Sequence, residues 1–162
     1  MLSLKKKLDK AIEVFIMILL AFMVIVAIWQ VSSRYVFNSP STISEELLRY
    51  SLIWLAMIGS AYMFGLREHM SITFFVEKFG EEVVRKLSIL SEVIIVVFSL
   101  FVLVYGGVNI TLLTMKQVSA ALGISMGYIY LVLPLSGILM IFYGVLNILN
   151  LIKEKDTVKS NS

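Results

Sequence analysis

Val14-Phe15-Ile16-Met17-Ile18-Leu19-Leu20-Ala21-Phe22-Met23-Val24-Ile25-Val26-Ala27-Ile28-Trp29 runs sixteen residues without a charge, and largely apolar sequence continues to Val36. At ~1.5 Å per helical residue, the stretch 12–36 is long enough to cross the ~30 Å hydrocarbon core of a bilayer. A membrane strand would alternate polar and apolar residues and end after roughly ten of them. This run does neither, so it predicts a helix. Working outward, three more apolar stretches follow at 50–66, 93–113 and 128–152, each long enough to span. The expected architecture is an all-α integral membrane protein, a single four-helix transmembrane domain over 1–162. The expected spans are about 12–36, 46–66, 88–115 and 127–152, with a polar tail at 157–162 expected to fray.

With 59% hydrophobic and only 15% charged residues, a chain this small has too little polar surface to cover a soluble core. The first span carries no small-residue cleavage pattern and exceeds the apolar core of a signal peptide, so it is read as retained. Eleven of the fourteen lysines and arginines lie before the first span, between the second and third, or after the fourth. The opposite loops hold only Arg34 and Lys116, with Arg49 at the start of the second helix. Positive-inside bias therefore predicts both termini in the cytoplasm. Basic residues that flank spans have this simpler cause, so the charge does not point to nucleic acid. The absence of cysteine excludes disulfide and thiol chemistry.

Asn38-Ser39-Pro40 is a turn signal, after which Ser41 or Thr42 starts the second helix. Thr42-Ile43-Ser44-Glu45 fits a capping box. Glu45 and Glu46 occupy the first turn, where the helix dipole favours negative charge. They stand four and three residues before Arg49, whose guanidinium needs a partner at membrane depth, and Glu45 is the nearest candidate. The group can serve as a solvated cap or as a docking point, which makes Arg34, Glu45, Glu46 and Arg49 partner-interface candidates.

Ala56 and Ser60, then Ala61 and Gly65, are each four apart with Gly59 between them, a spacing that lets another helix approach closely. Gly106, Gly107 and Thr111 make a similar strip on the third helix. Ala56, Ser60, Gly106 and Gly107 join the interface candidates, although packing within the chain is the default reading. Asn109 needs a hydrogen-bond partner in the bilayer. Arg67, His69 and the aromatic residues that follow predict an interfacial segment between helices two and three. Trp29, Trp54, Tyr128 and Tyr130 are expected anchors at the membrane interface. The third helix should begin in water, with Glu81–Arg85 and Glu82–Lys86 pairs, and is longer than the bilayer requires, so it must tilt or protrude.

Several chemistries are excluded. A two-imidazole haem site needs two histidines and His69 stands alone; a proton-coupled carrier needs a deep ionisable residue, whereas Glu13 and Glu92 sit near the ends of their spans. No catalytic, cofactor or metal-ligating set emerges, and Pro134 reads as a kink rather than half of a broken-helix binding site.

Arg34-Tyr35-Val36-Phe37-Asn38, then Ser44-Glu45-Glu46-Leu47-Leu48-Arg49-Tyr50, Trp54, Gly59, Arg67-Glu68-His69, and finally Ala121-Leu122-Gly123-Ile124-Ser125-Met126 with Tyr130 and Leu133-Pro134-Leu135, resemble the small, Q-type membrane subunit of TRAP (tripartite ATP-independent periplasmic) transporters. The resemblance covers about 11–152. It departs at Ile43, where the family often has Trp, and at Ser125, where many members have Pro. It implies a non-enzymatic scaffold in the bacterial inner membrane, in contact with lipid and with a large membrane subunit that carries sodium and substrate. A periplasmic binding protein would deliver an organic acid, and sialic acid and four-carbon dicarboxylates both fit. The 121–125 segment is slightly closer to sialic-acid systems. The rival readings are a four-helix anchor for another membrane complex and a stand-alone cation exporter, which Glu13, so close to Lys10, disfavours.

Overall fold

The computed structural model describes residues 2–66 and 81–160. Within them the order is α1 (Leu2–Tyr35), α2 (Thr42–Gly65), α3 (Glu81–Phe98), a π-helical stretch (Ser99–Gly106), α4 (Gly107–Thr114), α5 (Met126–Tyr130) and α6 (Val132–Ser160). Four helical spans are long and apolar enough to cross a membrane: Lys5–Tyr35, Thr42–Gly65, Val83–Thr114 and Met126–Ile152. The all-helical expectation holds; among the described residues the only β feature is an isolated bridge between Val118 and Ser125. Arg67, His69 and the rest of 67–80 lie outside the described residues, as do the side chains of Glu81 and Glu82. α6 extends to Ser160.

The turn after α1 follows from one residue. Asn38 adopts a left-handed backbone, φ 50°, and the Ser39 N–H reaches back six residues to the Ser33 carbonyl at 3.0 Å. That arrangement satisfies carbonyls that a helix end leaves exposed, and Asn tolerates it better than most residues. Ser41 then caps α2, its hydroxyl accepting from the Ser44 N–H at 3.3 Å and from the Ser44 hydroxyl at 2.9 Å. The expected Thr42–Glu45 capping box does not form. Glu45 turns instead toward Arg49, where a full charge is a better partner for a carboxylate than a backbone amide.

The third and fourth spans close against each other like a zip. Gly107 sits under Pro134, Leu103 and Val104 cover Gly137, and Val96 covers Gly144. Ser99 donates to Met140 Sδ at 3.6 Å, and Asn147 donates to Glu92 at 3.2 Å. On the third span the central contacts fall at 99, 103 and 107, and Thr111 is buried in the same series. An α-helix of 3.6 residues per turn would carry a strict four-residue series steadily off one face. The wider π-helical turn between Ser99 and Gly106 keeps it facing α6.

Pro134 interrupts the fourth span as expected. Its missing N–H and its ring disturb the turn that would bond to the Tyr130 carbonyl, and the break falls between α5 and α6 at Leu131.

Four spans, an even number, would bring both termini to the same face of a bilayer, and Asp9 near the start of α1 does meet Tyr143 of α6. α1 packs on α2, α2 on α6, and α6 on the third span, so the helices follow the order one, two, four, three. The buried core runs from Val132 near the α5–α6 break to the terminal side, where Ile12, Phe64 and the wholly buried Tyr143 lie. Gly65 makes this possible, since any Cβ there would stand 2.6 Å from the Tyr143 ring. The phenol donates to Asp9 at 2.5 Å. This bond ties the start of α1 to α6.

Candidate functional site

On the side opposite the termini, Glu46 holds a distant loop. Its Oε2 accepts the backbone N–H groups of Ala121 and Leu122 at 3.1 and 2.9 Å, across more than seventy residues of sequence. Inside the loop, Ser119 N–H donates to the Ile124 carbonyl at 2.9 Å and Met126 N–H to the Gln117 carbonyl at 2.8 Å. Ser125 donates to the Met115 carbonyl at 2.7 Å and caps α5 by accepting from Gly127 N–H at 3.3 Å. The departure from proline at this position therefore gives the loop a cap and a tie. Gly123 has φ +67°, the left-handed region that only glycine enters cheaply.

Two measurable consequences follow. Glu46→Ala is expected to release the loop, so hydrogen exchange at the Ala121 and Leu122 amides should rise steeply while amides in α6 stay protected. Unchanged exchange at those two amides would show that the carboxylate does not hold them. Gly123→Ala should cost about 1–2 kcal/mol through backbone strain alone, read as a lower unfolding midpoint in detergent.

The candidate residues separate into two groups. Glu46 and Gly107 are engaged within the chain: the carboxylate holds two loop amides through Oε2, and Gly107 is buried beneath the Pro134 ring. The other candidates point outward. Arg49 donates to Glu45 at 3.0 Å, the pair named from sequence, and both side chains are more than half exposed. Ala56 and Ser60 are exposed on the same flank of α2, and a Cβ at Gly59 would meet nothing within 4 Å. The second small pair is different, because Ala61 and Gly65 are buried in the intramolecular core. Arg34 is exposed at the end of α1, and Gly106 is half-buried with only its own helix nearby.

Among the expected anchors, Trp29 is exposed beside Phe37, ring centroids 6.2 Å apart, and Tyr128 is exposed while Tyr130 is half-buried. Trp54 is not at a helix end. It stands twelve residues into α2, ~18 Å along its axis, with its ring 6.4 Å from Phe15 of α1. Asn109 is exposed on α4. On the terminal side the Asp9–Tyr143 and Glu92–Asn147 bonds went unnoticed in the sequence. A pairing signal existed in Asn147, a polar residue on an apolar helix, but nothing local identified its partner.

A family model described as "Tripartite ATP-independent periplasmic transporters, DctQ component" matches residues 23–154. The chain belongs to this family. Among TRAP relatives, the sialic acid TRAP transporter small permease protein SiaQ of Vibrio cholerae is 29% identical over 150 residues, covering 93% of this chain and 86% of its own length. A putative TRAP transporter small permease protein of Haemophilus influenzae is 39% identical over 88 residues, 52% of this chain and 55% of that protein. The sialic acid TRAP transporter permease protein SiaT of Haemophilus influenzae is 30% identical over 117 residues, covering 72% of this chain but 19% of its own length. The chain is thus a multi-pass TRAP small permease component, a member of a transporter family rather than a catalytic one.

Proposed function

We propose that this chain is the non-catalytic scaffold of a TRAP transporter in the bacterial inner membrane, with both termini cytoplasmic. It binds a large permease subunit that takes up an organic acid of the sialic acid class, driven by sodium and supplied by a periplasmic binding protein. One observation carries the partnership: the region similar to this chain occupies 19% of the longer SiaT permease. A module that also occurs joined to a longer permease polypeptide is expected to work beside one when encoded separately. The sialic acid assignment rests on the names of SiaQ and SiaT and on the 121–125 segment.

The exposed flank of α2 is the surface we assign to the large subunit. Small residues at Ala56, Gly59 and Ser60 permit close approach of a helix in lipid, where packing rather than water exclusion drives association. The Arg49–Glu45 pair at the opposite-side end of the same flank would set register. Arg49→Glu is therefore expected to lower the yield of the copurified complex while leaving membrane insertion intact; an unchanged yield would remove this pair from the interface.

The decisive experiment is reconstitution. Liposomes containing the large subunit, with and without this chain, would be tested for sialic acid uptake under a sodium gradient with the binding protein outside. Uptake should require both membrane subunits. Full uptake by the large subunit alone would refute the scaffold role, and uptake by this chain alone would make it a carrier.

A further inference from the structure

An apolar cleft of about 240 Å³ lies between α1, α2 and the loop that Glu46 holds. Its floor is Phe15 and Leu19 of α1 with Trp54 of α2; toward the loop it is bordered by Ser51, Leu122 and Tyr128. We propose that this cleft is a binding site for one acyl chain of a phospholipid from the leaflet opposite the termini.

Three features of the cleft select this occupant. Its walls belong to membrane-spanning helices, so the medium at its mouth is lipid. It runs along α2 for about seven residues, ~10 Å of helix, comparable with the ~15 Å depth of one hydrocarbon leaflet. Polarity rises along it in the sense of a lipid: the floor is hydrocarbon and indole, whereas hydroxyl-bearing Tyr50, Ser51 and Tyr128 stand nearer the loop. Water is a poor guest, because it needs roughly two to four polar partners and the floor offers almost none. A helix is too wide, since ~10 Å of it displaces several hundred Å³. A chain lying there would fill the space between α1 and α2 and support the Glu46-held loop from below.

Trp54 lines the cleft, and Trp29 is the only other tryptophan, so the site can be read by fluorescence. The full chain carrying Trp29→Phe would be reconstituted in phosphatidylcholine vesicles whose acyl chains bear bromine at mid-chain positions. Trp54 emission should be strongly quenched. Ser51→Phe, which fills the cleft, should remove most of that quenching, and Leu122→Phe provides an independent filling variant if the first fails to fold. Native mass spectrometry of the detergent-purified full chain should show one retained phospholipid, lost in either variant. Quenching unaffected by both variants would mean that Trp54 meets only the general lipid annulus and would overturn the proposal. So would a structure of the complex in which a large-subunit side chain occupies the cleft.

Discussion

Gly107→Val is expected to unseat the third span from α6. A Cβ at this position would lie 2.9 Å from both the ring and the nitrogen of Pro134 and 3.0 Å from Leu133 Cβ. Neither Pro134 atom is the end of a flexible side chain, so the strain has to be relieved by moving helices apart. Overpacking of this kind costs about 1–3 kcal/mol, and more where the obstruction is backbone. At roughly 2–4 °C per kcal/mol for chains of this size, the unfolding midpoint in detergent should fall by several degrees. Gly59→Ala supplies the comparison. It meets open space and replaces the poorest non-proline helix former by the best, so it should leave stability unchanged or raise it by up to about 1 kcal/mol. Equal destabilisation by both changes would show that the zip between the third span and α6 is not where this glycine acts.

Ala56→Phe should have the opposite profile, with an intact fold and a lost complex. The side chain points away from the rest of the chain, so the isolated subunit should keep its unfolding midpoint. In a close helix contact the added ring holds the partner off. A loss of about 1.4–3 kcal/mol corresponds to a ten- to hundred-fold weaker association, enough to abolish copurification with the large subunit. A complex recovered in normal yield would place the interface on another face and leave the flank of α2 to lipid.

Legibility in the sequence depended on how far apart the cooperating residues lie. The four spans announced themselves as long apolar runs with few or no charges, and the Arg49–Glu45 pair followed from i,i+4 spacing, because both signals are local. The Glu46 contact with Ala121 and Leu122 was not visible: Glu46 has ordinary reasons to sit in a first helical turn, and its partners are backbone amides, which carry no side-chain signature. Gly106 and Gly107 read as one strip, yet consecutive residues are ~100° apart on a helix, so only one could face α6. A better signal was present in the every-fourth series Ser99, Leu103, Gly107 and Thr111, which asks for a turn wider than α. The small pairs on α2 show the same limit. Spacing marks Ala56/Ser60 and Ala61/Gly65 as faces open to close approach, but only the position of Tyr143 reveals that the second is already taken.

The spans differ in length: Thr42–Gly65 has 24 residues and Val83–Thr114 has 32, a difference of ~12 Å if both were straight. Both exceed the ~30 Å hydrocarbon core, the third span by the larger margin, so that span has to lean, bend or stand proud of the membrane surface, at a fraction of a kcal/mol for each ångström of disagreement. A leaning third span, with α6 zipped along it, would give the chain a wider footprint in the plane of the bilayer than four upright helices would.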